Sequence, residues 1–295
     1  MDWKKLACCA VLSGASMGLV ACGDDDGTGG GPDNPDDGMT RVYVVSTVSI
    51  PEAMDGRAPG YNLDGVVSNG EGETCVDVAE DFTSVTDPSE TGVDNALAEL
   101  APVLAGIAGI DIDEAIAAQI AEGSLLLLLE VSDIDSFGND SSVSVQLHLG
   151  SVPGGGAPEL DGAALRAGQT FNSMQALGTP VAGEITGGRL RADTPRLVLE
   201  INTGDLELDL VISDAIIGAS ITDTRLANGA IGGSLRIDDL REAVAGIDPM
   251  YADYVDTLVA PSYADLDPSA DDPELCTALS VGLLFSGVDA VLGGS

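Results

Sequence analysis

This chain has little positive charge. Lysine and arginine together number 11 against 49 aspartates and glutamates, so the formal net charge is −38. A field of this sign repels nucleic acids and anionic membrane surfaces, and the composition therefore excludes nucleic-acid binding. The same field attracts cations, and it also keeps a protein soluble.

Histidine and aromatic residues are scarcer still. His148 is the only histidine, which excludes a zinc site built on several imidazoles. After residue 22 there is no H-E-x-x-H, C-x-x-C or G-x-S-x-G motif. We expect His148 to be an exposed residue on the polar face of a strand. A hydrolase that uses two carboxylates stays open, because the chain is rich in acids, although sugar-binding platforms usually use aromatics.

Aliphatic residues, in contrast, are abundant. Hydrophobic residues make up 44% of the chain against 3% aromatics, and the mean hydropathy is +0.22. Disordered chains combine high charge with low hydrophobicity, which this chain does not do. We therefore expect a folded domain with an aliphatic core.

The first 22 residues read as a secretion leader. Two lysines precede the apolar stretch 6–20, which is too short for a comfortable membrane span. The stretch ends in Leu19-Val20-Ala21-Cys22, which resembles the lipobox of bacterial lipoproteins. The resemblance implies cleavage before Cys22 and acylation of Cys22, and hence a stable lipid anchor in the membrane. The alternative is an ordinary signal peptide cut after a small residue.

The residue after Cys22 bears on the destination of such a lipoprotein. It is Gly23 rather than aspartate, and an aspartate there resembles an inner-membrane retention signal. The resemblance therefore favours the outer membrane and leaves open whether the domain faces inward or outward.

Removal of the leader would leave three cysteines in the chain. Cys22 would carry lipid, and Cys75 and Cys276 would remain as two thiols in an oxidising compartment. We predict that these two pair, which would tie the beginning of the folded domain to its end. The alternative is two separate buried thiols.

Composition divides the chain into three parts: a signal peptide over 1–21, an acidic Gly/Asp tether over 22–39 and a single globular domain over 40–295. Within the domain, we predict an α+β fold with a large, mainly antiparallel sheet and a few packed helices. A β-sandwich or a partial barrel is the alternative.

Local patterns place several elements. Apolar residues at helical spacing from Val93 predict one helix. A second helix is predicted to begin with a cap at Asp111 or Asp113 and to end at Gly123. The run SLLLLLEV fits a strand buried on both faces, with the end of the preceding helix as the alternative. The run SSVSVQLHLG alternates like a half-buried strand. The pattern Gly-Gly-x-Leu-Arg occurs at 187–191 and 232–236, either as a duplicated motif or by chance.

Oxygen-bearing side chains gather between residues 62 and 95. Ca²⁺ binds about six to eight oxygen ligands, which turn-rich acidic segments can supply. The stretches NLDGVVSNGE and ETGVDN resemble fragments of calcium-loop repeats of the thrombospondin type 3 kind. The alternative is a solvated loop whose aspartates cap turns. The predicted calcium ligands are Asp64, Asp77, Asp81, Asp87, Glu90 and Asp94.

Together these features favour a cell-envelope lipoprotein without enzymatic activity, whose acidic domain has a binding, adhesive or structural role. In style the chain resembles acidic, glycine-rich bacterial envelope lipoproteins. One alternative is a protein that binds a lipid or another apolar ligand in a cavity lined by residues 125–129. A second alternative is the carboxylate-dependent hydrolase. The expected partners are the membrane, through the lipid, and an envelope protein or lipid ligand.

Overall fold

Long β-strands dominate the structure, which is a computed structural model. It describes residues 38–293 with the exception of 73, 78, 109–110, 203–206, 246–248 and 273. The predicted signal peptide and nearly all of the predicted tether, including Cys22, lie outside these residues. The strands of the described part are β1 (Met39–Ser49), β2 (Arg57–Ala58), β3 (Phe82–Ser84), β4 (Thr91–Val93), β5 (Leu127–Ile134), β6 (Asp140–Ser151), β7 (Leu160–Asp161), β8 (Ala164–Leu165), β9 (Gln169–Ala176), β10 (Val181–Thr186), β11 (Arg189–Asn202), β12 (Glu207–Ile221), β13 (Arg225–Arg236), β14 (Leu266–Pro268) and β15 (Cys276–Gly293).

In the described part of the chain, helices are fewer than strands. A π-helical turn, Val255–Val259, lies between the last two of them. No helix among the described residues has the length and apolar character needed to cross a membrane. The helices are α1 (Ala96–Ala108), α2 (Ile112–Glu122), α3 (Ile237–Ala245), α4 (Pro249–Tyr254) and α5 (Ala260–Tyr263).

The principal sheet closes on itself. Its strands follow the order β1-β5-β6-β10-β11-β12-β13-β15, and β15 then pairs with β1 from Val42 opposite Ala290 to Ser49 opposite Leu284. All eight of these contacts are antiparallel. The predicted mainly antiparallel sheet with a few helices is confirmed. However, eight of the strands form a closed barrel and the helices are few, so the α+β class is matched only in part.

An aliphatic cluster fills the barrel. Each of the eight strands contributes buried residues to it, among them Tyr43, Leu129 and Leu283. Eight strands enclose a space about wide enough for side chains to fill. Helices α1 and α3 and the π-helical turn add residues to the same cluster.

The leucine run is buried on both faces, and its last three residues, 127–129, begin β5, as the strand interpretation predicted. Leu127 and Leu129 enter the barrel cluster. Leu126 and Leu128 point to the opposite face and join a second cluster with Ile116 of α2 and Phe171 of β9. Core packing therefore accounts for all of these leucines.

The ends of α2 follow from local chemistry. The Asp111 carboxylate accepts a hydrogen bond from the backbone N–H of Glu114, which caps the helix. Gly123 ends it with a left-handed backbone, φ 81°, a conformation that costs glycine little. Of the two predicted caps, Asp111 is the one that the structure shows, and the predicted end at Gly123 is confirmed.

Strand β6 changes partner along its length, so the sheet forks at this strand. The fork brings β9 beside His148, whose contacts are described below. Val143 and Val145 pair with β10, whereas His148 and Gly150 pair with β9. Strand β9 also runs parallel to the end of β15, from Gln169 opposite Ala290 to Asn172 opposite Gly293.

Candidate functional site

The segment from Met54 to Ala96, here called the clamped segment, lies against the barrel and contains all of the predicted calcium ligands. It carries a small three-stranded sheet, β2-β3-β4. Its end is joined to β15 by the buried amide of Asn95. The Asn95 Oδ1 accepts from the Gly282 backbone N–H at 3.0 Å, and its Nδ2 donates to the Pro59 carbonyl at 2.8 Å.

Glycines on the barrel make room for this segment. A Cβ atom at Gly282 would lie 2.1 Å from the Pro59 carbonyl oxygen, and one at Gly218 would lie 2.3 Å from the Tyr61 hydroxyl. Both distances are shorter than any van der Waals contact. Tyr61 is buried, and the Arg191 guanidinium stacks 4.9 Å from its ring centre. The close fit depends on the absence of side chains at these two positions.

Cys75 and Cys276 provide a second attachment. The structure places them at disulfide distance, with their Cα atoms 5.6 Å apart, as a disulfide requires. Cys75 lies in the clamped segment, and Cys276 is the first residue of β15. The pair therefore joins the segment to the same strand that Asn95 contacts.

A third attachment runs through buried Ser280 of β15. The Ser280 Oγ accepts a hydrogen bond from the backbone N–H of Ala96 at 2.7 Å and donates to Asp265. The Ser280 backbone N–H donates to the other Asp265 oxygen at 2.7 Å. Burial raises the pKa of Asp265 to about 7.

Asp94, next to Asn95, is the second strongly perturbed carboxyl group. Its Oδ2 accepts from the Leu63 backbone N–H at 2.6 Å. Burial raises its pKa to about 7 in spite of this hydrogen bond, and the charges of Asp64, Asp81 and Asp265 contribute to the rise. Burial also raises the pKa of Asp81, which accepts from the Ser68 backbone N–H at 2.5 Å.

The structure brings only part of the predicted calcium set together. Asp64, Asp77, Asp81 and Asp94 are close enough for their charges to interact. Asp87 lies apart, accepts from Ser89 and sits 4.0 Å from the Arg189 guanidinium.

Most of these carboxylates accept hydrogen bonds that shape turns. Asp64 accepts from the Val66 backbone N–H at 2.8 Å, and Asp77 accepts from the Thr74 hydroxyl at 2.5 Å. The Glu90 backbone, rather than its side chain, bonds to Ser84 and Asp87. In the described part of the chain, no group of three or more histidine, cysteine or acidic side chains is arranged to hold a metal ion.

His148 is buried, and the prediction that it is exposed was wrong. Its exposed fraction is 8%. Its Nε2 lies 3.0 Å from Glu130 Oε2, and its Nδ1 lies 3.0 Å from Ser173 Oγ. These three residues, here called the relay, come from β5, β6 and β9. The partners from neighbouring strands satisfy both ring nitrogens, and this allows the imidazole to be buried.

A weak sequence signal for the relay exists. The connection between β5 and β6, residues 135–139, is short, so the two strands are antiparallel neighbours. Glu130 and His148 then lie on the same face, in the same alternation as Leu128. No local sequence pattern predicts that Ser173 contacts His148. The contact depends on the pairing of β9 with the second half of β6, which the sequence near Ser173 does not indicate.

Comparisons with known proteins add no relative. No protein-family model matches the chain, and no curated protein or solved structure is significantly similar to it. The functional argument therefore rests on the residues themselves.

Proposed function

We propose that this protein is a lipid-anchored protein of the bacterial cell envelope and that its barrel acts as a binding, adhesive or structural module. The lipobox ending at Cys22 supports the anchor. The observation that carries the role of the domain is the attachment of the acidic clamped segment to β15 through Cys75, Asn95 and Ser280.

A surface held in this way is suited to recognition. Association costs conformational entropy whenever side chains or loops must be ordered, and a preorganised surface avoids part of that cost. The net charge of −38 adds long-range attraction for a partner with a basic surface. The preferred partner is therefore a basic envelope protein, and the lipid anchor would hold the acidic surface at the membrane.

The anchor is tested by metabolic labelling with an alkyne fatty acid in a bacterial host that processes lipoproteins. We expect the wild type to incorporate the label and to fractionate with membranes. The variant Cys22→Ser is expected to lose both properties, and Cys75→Ser to keep the label. An unlabelled wild type would contradict the anchor.

The recognition surface is tested by affinity capture from envelope extracts. One variant neutralises acids of the clamped segment, Glu71→Gln, Glu80→Gln and Glu90→Gln. A matched control removes the same charge elsewhere from exposed acids, Glu184→Gln, Asp193→Asn and Asp223→Asn. We expect the first variant alone to lose the captured basic proteins. Equal loss in both variants would show that only the net charge matters.

Calcium at the clamped segment is a second candidate role, favoured by the interacting charges of Asp64, Asp77, Asp81 and Asp94. A ligand that binds only the folded state raises Tm. We expect excess calcium to raise Tm more than equal magnesium does, and EDTA to reverse the effect. Equal small rises of Tm with calcium and magnesium would indicate general charge screening and would contradict a calcium site. Neither the lipid-binding alternative nor the carboxylate hydrolase has a structural observation in its favour.

A further inference from the structure

The hydrogen bonds of the relay determine the tautomer of its histidine. A carboxylate can only accept, so the Glu130 oxygen at 3.0 Å requires a proton on His148 Nε2. In the neutral imidazole the other nitrogen, Nδ1, then carries a lone pair. The Ser173 hydroxyl at 3.0 Å therefore donates to Nδ1.

This is the arrangement that activates a serine hydroxyl. In a serine nucleophile site, a carboxylate orients the imidazole, and the imidazole accepts the hydroxyl proton. The well-known triads place the serine on Nε2 and the acid on Nδ1. In this protein the acid is on Nε2 and the serine is on Nδ1. The imidazole still lies between the carboxylate and the hydroxyl, as in those triads.

Exposure increases toward the ends of the relay. The His148 side chain is 10% exposed, whereas that of Glu130 is 28% exposed and Ser173 is half-buried. Along β9, pairing with β15 ends at Asn172, so among the described strands Ser173–Ala176 pair with β6 alone.

We infer that Ser173 is a nucleophile, with His148 as its general base and Glu130 as the group that orients and charges the imidazole. The Ser173 Oγ attacks the carbonyl carbon of an ester while its proton moves to His148 Nδ1. The alcohol then leaves with that proton, and an acyl-serine remains. Water attacks this ester, gives its proton to Nδ1, and the carboxylic acid departs as Ser173 is restored.

The surroundings indicate the substrate class. Leu128 pairs directly with His148 across β5 and β6, and Phe171 lies two residues before Ser173 on the same strand face. The apolar side of the relay favours an apolar acyl group. A net charge of −38 disfavours anionic substrates. The predicted substrate is an uncharged carboxylic ester, and this activity is independent of the lipid anchor and of the acidic surface.

The test is covalent labelling of the full processed chain with a fluorophosphonate, followed by peptide mapping of the modified residue. We expect one phosphonyl group on Ser173, none in Ser173→Ala, and undiminished labelling in Ser144→Ala. Ser144 is the matched control because it is a half-buried serine on the His148 strand. General-base catalysis contributes about 10²–10⁴-fold, so His148→Gln should slow labelling about a hundredfold.

Hydrolysis of p-nitrophenyl acetate is the second readout. We expect turnover that Ser173→Ala abolishes and Glu130→Gln reduces, while Ser144→Ala behaves like the wild type. Because the wild-type mapping needs no variant, a misfolded variant does not affect its result. A wild type that is unlabelled at Ser173, or that is labelled equally at other serines, would overturn the inference.

Discussion

At the scale of single residues, the unusual groups are two buried aspartic acids. Asp94 and Asp265 each have a pKa of about 7, raised by burial from an ordinary value of 3.8. Below pH 7 the folded protein therefore holds protons that the unfolded chain has already released. The free energy of unfolding falls as pH rises from about 4 to about 7, because the unfolded state binds fewer protons over this range.

Asp265→Asn is expected to flatten this pH dependence. The asparagine keeps an oxygen that can accept from Ser280, but it cannot ionise. The contribution of residue 265 to the pH dependence of the free energy of unfolding is therefore lost. We expect Tm measured between pH 5 and pH 7.5 to fall less steeply in the variant than in the wild type. Asp267→Asn, at an exposed position two residues away, should keep the wild-type slope. Equal slopes in all three proteins would contradict the linkage.

At the scale of elements, the two Gly-Gly-x-Leu-Arg copies show that one dipeptide serves two structural purposes. Gly187 and Gly188 form the tight turn between β10 and β11, with φ values of 57° and 81°. Gly232 and Gly233 lie in the middle of β13, where a Cβ atom at Gly233 would come within 2.5 Å of the Ile212 side chain. The first pair is needed for backbone conformation and the second for space. The two copies are therefore not equivalent strands.

Gly282→Ala is expected to loosen the clamped segment. The new methyl group would collide with the Pro59 backbone and the Asn95 amide, and overpacking of this kind costs about 1–3 kcal/mol. Gly138→Ala is the control, since its nearest neighbour would be 3.5 Å away and the site is exposed. Urea unfolding should separate the two variants, and a wild-type midpoint for Gly282→Ala would refute the close contact.

At the scale of the whole molecule, the ends of the folded domain meet on β15. This strand pairs with β1 and β13 and carries Cys276, Ser280 and Gly282, which hold the clamped segment. Cys75 and Cys276 are separated by 201 residues. A link of this length restricts most of the domain in the unfolded state.

The double variant Cys75→Ser and Cys276→Ser is expected to lower the free energy of unfolding by about 2–5 kcal/mol. Urea unfolding with and without reductant measures the loss. Reductant should shift the wild type toward the variant and leave the variant unchanged. A wild type that is insensitive to reductant, with the same midpoint as the variant, would show that the two cysteines do not pair.

The sequence by itself determined what depends on near neighbours. Asp111 and Gly123 end α2 because capping and left-handed backbone are local effects. The run over Leu125–Leu129 reads as a buried strand because its apolar residues occupy both faces. The expected export to an oxidising compartment made the pairing of Cys75 with Cys276 a natural prediction.

Only the tertiary structure decided which strands meet. The closure of β1 against β15 joins residues more than two hundred positions apart, and an alternating strand fits an open sheet and a barrel equally well. The same long-range pairing buries His148, because Glu130 and Ser173 reach it from separate strands. It also raises the pKa of Asp265, whose burial depends on β15 and on the start of α1. Hydrophobic alternation determines which face of the sheet each side chain lies on. The packing of the whole chain determines which strand lies next to it.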